Sequence, residues 1–452
     1  MRKTDADVLI IGAGAAGLAA ARELSQAGLS LSILEARGRT GGRIYTLHDS
    51  SLPTPVELGA EFIHGKPEEV WQIARAAALT VYEVSASFWY SHNGRIERRN
   101  VFDSDLEEVF KQMGRPGSAD QSFREFIEER GAGKLTEEQK EEAISYVEGF
   151  HAARTEKISL KSLAKAEQTE QAIEGDKQFR ILNGYASVVE WMRAGLDPQR
   201  ATLHLDTVVK AVRWSKGKVE VISESATGHP LEPFTARCAV ITLPLGVLKA
   251  SPDADGSVRF IPELRDKQTA ISRLEVGQVR KIVMRFREPF WEDDEFTGKT
   301  GDESLSDLGF IVSRGEWVPT WWSARPVHAP VLTGWAGGPA AERLSLESEK
   351  SVVDHALSSL ARLLAIDRAR IEPLLEGFHT HDWHADPFSQ GAYSYVGVGG
   401  IDAPGLLAQP VEDMLYFAGE ATYTEGESGT VHGAIASGRR AAQEVLRALG
   451  RE

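Results

Sequence analysis

The sequence predicts an α/β protein, a Rossmann-like dinucleotide-binding domain with an α+β domain interleaved through it. Three observations carry this. An apolar strand runs into Gly12-Ala13-Gly14-Ala15-Ala16-Gly17, then a helical stretch and a second strand ending on Glu35. Glycine-rich chemistry returns near the C-terminus, around Gly419 and from Gly429 to Gly433. At 452 residues the chain exceeds one ordinary core, so the stretch between has room for a second domain.

Each N-terminal element has a physical reason. Asp7 to Ile11 reads as a buried strand. Gly12 makes the tight turn, Gly14 lets a pyrophosphate approach the backbone, and Gly17 lets helix and strand pack closely. The helix start offers free N–H groups and the positive end of its dipole to an anion. Leu18, Ala21 and Leu24 mark one helix face, and Gly28 is placed to end the helix. Leu29, Leu31 and Ile33 alternate as the second strand, and Glu35 can accept ribose hydroxyls. Beyond it, Arg37, Arg39 and Gly41-Gly42-Arg43 supply a second close backbone approach and guanidinium groups for phosphate. That arrangement resembles FAD enzymes of the glutathione-reductase-like group more than NAD dehydrogenases.

Down the chain, Glu57 to Gly65 reads as a strand or loop ending in a ligand-facing turn. Ser85 to Ile96 reads as a hairpin around Asn93-Gly94. From Asp103 to Gln171 the pattern is helical and charged, broken at Arg115-Pro116-Gly117 and Gly131-Ala132-Gly133, so it reads as an inserted helical lobe. Strands follow at Ala201 to Trp214, Lys218 to Ile222, Ala239 to Leu243 and Arg280 to Phe286, with a helix from Ser348 to Leu364. Leu415 to Glu420 is a strand entering a turn, and Gly429 to Ala434 opens a last helix.

Composition excludes some functions. The net charge of −15 argues against general nucleic-acid binding, and an acidic surface favours a cationic substrate. The lone Cys238 sits in an apolar run and reads as a buried, inert thiol in a reducing compartment. The N-terminus shows no apolar signal stretch and no segment is long enough to span a bilayer, so the expected place is the cytoplasm. The histidines His379, His381 and His384 lack a completing carboxylate or thiol set, so no metal is expected.

The pattern as a whole resembles the flavin amine oxidases, the group of monoamine oxidases, polyamine oxidases and flavin-dependent lysine demethylases. The resemblance runs nearly end to end. It rests on the N-terminal fingerprint, on Leu58-Gly59-Ala60 through Ile63-His64-Gly65, and on Thr207-Val208-Val209-Lys210. Further matches are Leu243 to Leu248, Lys281 before Phe290-Trp291, Trp383 with Asp386 to Ser394, and the blocks Gly419-Glu420 and Gly433-Ala434. Val431-His432-Gly433-Ala434 and His64 look closest to the polyamine oxidase branch.

The resemblance implies non-covalent FAD. Its contacts would come from Gly12, Gly14, Ala15, Ala16, Gly17, Glu35, Ala36, Arg37, Gly42 and Arg43. Gly59, Ala60, Glu61, Phe62, Val209 and Trp383 would add to these, as would Gly419, Glu420, Gly429, Thr430, Val431 and Ala434. It implies that Lys281 holds a water against flavin N5, that Trp383 packs beside the ring, and that Tyr393 walls the amine site. His64 would line the entrance. From spacing alone, Lys281 is a solvated lysine on an alternating strand and Trp383 a core tryptophan.

Two departures matter. Ala392 stands where mitochondrial monoamine oxidases carry the flavin-linking cysteine, and Thr430 where many members place a second cage aromatic. The expected reaction converts an amine to an imine, then an aldehyde, with electrons passing to dioxygen and hydrogen peroxide released. A polyamine or long-chain amine is the expected substrate, and amine and dioxygen are the only partners expected. The chain would be a monomer or homodimer, binding neither nucleic acid nor membrane. The alternatives are a related oxidoreductase acting on an L-amino acid or another donor, a lysine demethylase, or a non-catalytic FAD-binding scaffold. The expected division assigns 1–80, 176–258 and 388–452 to the FAD domain, and 81–175 and 259–387 to the substrate domain.

Overall fold

A computed structural model describes residues 6–451 apart from 85–86, 93, 99–108, 110–112, 114–118, 132–134, 299–303 and 427. Residues 85, 93, 103, 115–117 and 132–133, which carry parts of the expected hairpin and helical lobe, lie outside the described residues. One unit is built on a five-stranded parallel sheet. Its order is Ala201–His204, Leu31–Leu34, Val8–Ile11, Cys238–Ile241, Leu415–Phe417. Segments far apart in sequence therefore supply neighbouring strands, and their C-terminal ends lie along one edge.

The second strand corrects an expectation. Alternation at Leu29, Leu31 and Ile33 predicts one buried face, but Leu31–Leu34 is buried at every position. An inner strand of a parallel sheet is covered on both faces, so no polar face is needed. The first helix, Ala15–Gln26, is likewise buried well beyond the stripe of Leu18, Ala21 and Leu24. It packs against the C-terminal helix Val431–Ala448 as well as the sheet. Both contacts are close. A Cβ on Gly17 would lie 2.0 Å from the Gly12 carbonyl oxygen, and one on Gly438 would lie 2.2 Å from that of Ala16.

The second unit is a seven-stranded sheet ordered Leu375–Asp382, Val279–Phe286, Val331–Gly337, Thr320–Ser323, Leu308–Val312, Ser87–His92, Arg95–Arg98. The last pair is the expected hairpin. Ile282, Met284 and Phe286 face a core that includes Trp291, Trp321 and the helix Glu349–Leu363. Lys281 and Val283 take the opposite face, toward the dinucleotide-type domain. The inserted lobe contains the helices Phe123–Gly131, Glu137–Phe150 and Leu160–Ala172. The expected boundary at 258 falls one residue before the strand Arg259–Ile261, which pairs with Thr207–Ser215, so pairing on the dinucleotide side runs past it.

The crossing of the first and last helices depends on Gly438. Gly438→Ala must push backbone against backbone, which typically costs about 1–3 kcal/mol. A lowered denaturant midpoint with an unchanged slope is the expected outcome; an unchanged midpoint would mean that the crossing opens freely.

Candidate active site

The site is organised by one backbone segment. Leu58 donates its N–H to Tyr45 O and Ala60 to Arg43 O, so Leu58–Ala60 zips onto the end of the Gly-Gly-Arg turn. A Cβ on Gly59 would lie 1.8 Å from the Arg43 carbonyl oxygen, so the approach needs glycine. The same segment is gripped from the other side. Trp383 Nε1 donates to Leu58 O at 3.0 Å, and Lys281 Nζ donates to Gly59 O at 3.0 Å.

Lys281 is 2% exposed, so it is not the solvated lysine that spacing alone describes. Its second partner is Glu61, with Nζ to Oε2 at 2.7 Å. Glu61 Oε1 meets Arg180 Nη2 at 2.7 Å and accepts from Trp322 Nε1 at 3.0 Å. Burial opposes ionisation of Glu61, but Lys281 and Arg180 together outweigh it and hold the carboxyl below the usual range. An unpaired ion at such depth costs several kcal/mol, so burial of Lys281 requires a carboxylate close by.

Trp383 is also buried, and His381 packs edge-on against it with centroids 4.2 Å apart. His381 Nε2 pairs with Asp386 Oδ2 at 2.9 Å, and Asp386 Oδ1 takes Arg37 Nη2 at 2.7 Å. Burial works against that carboxylate too, and His381 and Arg37 keep it well below the ordinary value. His379 lies 3.6 Å from Asp49 instead. Among the described residues, no group of three or more such side chains is arranged to hold a metal.

The nucleotide half can be tested against FAD by its shape. The helix Ala15–Gln26 has no side-chain N-cap, which leaves N-terminal N–H groups for an anion. A Cβ on Gly14 would meet nothing nearer than Gly41 O at 3.8 Å, and one on Gly419 would meet nothing within 4 Å. Gly14 and Gly41 bridge the two glycine turns. Glu35, buried at the end of its strand, accepts Ala13 N at 2.8 Å and Arg37 N at 3.0 Å, and each oxygen retains a lone pair for a hydroxyl. Val209 sits at a bulge in the neighbouring strand, whose first residue donates its N–H to Glu35 O. The residues fit a dinucleotide.

Glu420 joins the two ends of the chain. It accepts Arg43 Nη1 at 2.8 Å, Ser394 Oγ at 2.6 Å and Gly429 N at 2.9 Å. Nη1 of the Arg43 guanidinium, the group expected to serve a phosphate, also donates to Ala392 O. Ala36 and Gly42 lie on the same two turns; Val431 and Ala434 open the last helix.

The remaining wall is aromatic. Tyr393 donates its hydroxyl to Phe150 O at 2.7 Å, and Phe150 packs on His64. Phe62 touches both His64 and Trp322, and Trp322 packs on Trp335. Burial lowers His64 to about 4; burial and then His64 lower His432 to about 4, so both imidazoles are neutral near pH 7. Thr430 has its own task. Its hydroxyl accepts Gly433 N at 3.1 Å and so caps the last helix, a position an aromatic side chain cannot fill that way.

Comparison with known proteins identifies the family. The family model for flavin containing amine oxidoreductase matches residues 15–446. This chain belongs to that family. Polyamine oxidase 4 of Oryza sativa subsp. japonica is 31% identical, over 98% of this chain and 89% of that protein. Polyamine oxidase 2 of Arabidopsis thaliana is 31% identical, over 100% and 90%. Lysine-specific histone demethylase 1 homolog 3 of A. thaliana is 30% identical over 97% of this chain, which spans only 30% of that protein. Cyclohexylamine oxidase from Brevibacterium oxydans shares the fold, with a TM-score of 0.80 at 19% identity, covering 99% of this chain and 100% of the other. The enzyme is an FAD-dependent amine oxidoreductase. Among its described residues no helix is long and apolar enough to cross a membrane.

Sequence reasoning named Lys281, Trp383, Tyr393, His64 and Thr430, and the structure of the enzyme brings them to one region. It missed Arg180, Phe150, Trp335 and His432, and it read Glu61 only as a cofactor contact. Arg180 carries a readable signal, a lone cation in the apolar run Phe179-Arg180-Ile181; the others gain neighbours only on folding. Of the two adjacent tryptophans, Trp322 lies on the wall, while Trp321 faces the opposite core, as strand alternation requires.

His432 makes the fold sensitive to acid. Its folded value of about 4 lies below the unfolded 6.5, so the unfolded chain binds the proton more tightly. Stability from this group is whole above pH 6.5 and falls toward pH 4, by roughly 1.4 kcal/mol per pH unit. Glu57, pushed up to about 7 by burial, has the opposite sign, with stability lost as pH rises through 7. The decisive measurement is therefore a difference. Between pH 7 and 5, wild type should lose more melting temperature than His432→Asn; equal losses would contradict a buried neutral imidazole.

Proposed function

We propose that the enzyme oxidises a polyamine or long-chain primary amine, with dioxygen as acceptor and hydrogen peroxide as product. The observation that carries this is the buried Lys281 ammonium, anchored on Gly59 O and Glu61 beside an aromatic wall with two neutral imidazoles. Bound FAD supplies the electron sink, taking the hydride equivalent from the carbon beside nitrogen. Ala392 offers no nucleophile to the cofactor, so we read the attachment as non-covalent. We assign the cofactor to 1–80, 176–258 and 388–452, extended to the strand ending at Ile261, and the amine to the remainder.

The side chains divide the work. Lys281 Nζ has three N–H bonds; two are used, Nζ lies 5.6 Å from the Trp322 ring centroid, and the third N–H has no hydrogen-bond acceptor among the described residues, leaving it for a water at the reacting face. The neutral imidazoles of His64 and His432 keep extra positive charge out of the pocket where the amine binds. Phe62, Phe150, Trp322 and Tyr393 exclude water and orient the C–H bond. Trp383 is held edge-on by His381, which keeps its plane fixed. The runner-up, an L-amino acid oxidase, needs a free cation for a carboxylate. The terminal nitrogens of Arg180 are instead directed at Glu61 and at the carbonyls of Ser323 and Arg325, so that reading gains no support there.

An amine panel scored by peroxide release tests the proposal. At least one polyamine or long-chain amine should exceed benzylamine in kcat/KM, because Thr430 withholds a second flat wall and the pocket bases are neutral. A benzylamine value above every such amine would overturn the substrate class.

Lys281→Met should retain FAD and fold, since Glu61 keeps Arg180 and Trp322 as partners. Loss of a positioned donor at a reacting centre costs about 3 kcal/mol of barrier, on the order of a hundredfold. Stopped-flow absorbance of flavin reduction and of reoxidation identifies the affected half-reaction. Wild-type rates in both would remove Lys281 from the mechanism.

A further inference from the structure

Glu61 occupies the end of the segment that holds the site together, yet its side chain turns away from a purely local role. Three donors from three separate strands converge on it: Lys281 from Val279–Phe286, Arg180 from Gln178–Ile181 and Trp322 from Thr320–Ser323. The two oxygens are divided between them. Oε2 serves Lys281 alone, and Oε1 serves Arg180 and Trp322. Arg180 is fixed independently by the carbonyls of Ser323 and Arg325, and its guanidinium lies 4.7 Å over the Phe62 ring. It cannot follow Lys281 if Glu61 is lost.

We propose that Glu61 is a positioning residue, whose carboxylate fixes the place of the Lys281 ammonium and balances its charge against the neighbouring Arg180. The role is distinct from the cofactor contact expected at this position. It rests on the reading of Lys281 given under Proposed function.

The geometry decides why a carboxylate is needed. Without it, the Gly59 carbonyl is the one hydrogen-bond acceptor left to Lys281 among the described residues, beside the Trp322 ring face, and two cations share one buried region. Like charges close together in a poorly solvated site disfavour both charged forms. Arginine stays protonated, so the lysine is the group that gives way. The other groups acting on the cluster are few. Glu57 accepts Tyr185 N and the Thr46 hydroxyl, and its carboxyl is held up near 7 by burial, so it is a weaker source of negative charge at neutral pH. The Tyr82 phenol, near Arg180 and Glu61, is raised by burial and remains neutral. Neither replaces an ionised Glu61.

The test uses the holoenzyme and four variants: Glu61→Gln, Glu61→Asp, Lys281→Met and the double Glu61→Gln/Lys281→Met. Two measurements are made. One is the absorbance of bound flavin from pH 6 to 10. The other is the rate of each flavin half-reaction, with reoxidation followed after dithionite reduction so that no amine is required. E61Q should slow the half-reaction that K281M slows, by at least tenfold, with kcat changed more than KM. Added to K281M, the same substitution should slow it less than twofold further. The flavin absorbance of E61Q should gain a pH-dependent step that the double variant lacks, while E61D, which keeps the charge, stays flat. Wild-type behaviour in E61Q alongside a slow K281M would overturn this inference alone. Equal fractional losses in both backgrounds would overturn it in favour of a plain structural role. A fast K281M would remove both this inference and the reading it rests on. Should E61Q fail to accumulate with FAD, E61D carries the test: its withdrawn carboxylate should slow the reaction severalfold in the wild-type background and not in K281M, and an equal effect in both would refute the proposal.

Discussion

Everything in the site depends on the close passage of Gly59 beside the Arg43 carbonyl. Because no Cβ intervenes, Leu58–Ala60 lies against the Gly-Gly-Arg turn and presents its carbonyls to the other domain. Trp383 and Lys281 take successive carbonyls of that segment, and Glu61 follows at once with its carboxylate. One stretch of four residues thus registers the nucleotide side against the seven-stranded sheet. A shift of an ångström there would move the lysine, the tryptophan and the carboxylate together.

Buried charge is the second theme, and it is handled by pairing. Glu61, Asp386 and Glu420 are each buried or nearly so, and each meets cations or several hydrogen-bond donors. Pairing of this kind adds little net stability, since desolvation consumes much of the Coulombic gain. Its value here is geometric. Each of these carboxylates has a cation from a segment distant in sequence: Glu61 with Lys281, Asp386 with Arg37, Glu420 with Arg43. The charges therefore specify how the interleaved segments come together around one cofactor, while apolar burial supplies most of the stability.

The two ends of the chain treat helix N-termini differently. The helix after Gly14 has no side-chain cap, so its donors are available to a phosphate. The helix after Thr430 is capped by that threonine, which satisfies one donor internally. The same residue explains an apparent gap in the aromatic cage. Position 430 is the N-cap of an 18-residue helix, and a hydroxyl there does what a ring cannot. The other rings of the wall, Phe150, Phe62 and Trp322, come from other elements and pack on one another and on His64.

Much of this was legible before folding. The strand–turn–helix–strand order, the roles of Gly12, Gly14 and Gly17, the acid at Glu35 and the return of glycine at Gly419 follow from spacing, because backbone turns and close approaches are local demands. The inserted lobe and the lysine-bearing strand follow from periodicity, and family resemblance supplied the roles of Lys281 and Trp383. Sequence could not say that both faces of Val279–Phe286 are enclosed, since alternation separates two faces without naming their surroundings. It could not show that the strand at Leu31–Leu34 is buried on both sides, that Arg43 turns to Glu420, or that Glu61 and Arg180 lie against Lys281. Those facts join residues tens to hundreds of positions apart. Local propensity and turn chemistry act within a few residues; desolvation acts on whatever the finished fold encloses, and only the tertiary structure decides which charges are enclosed together.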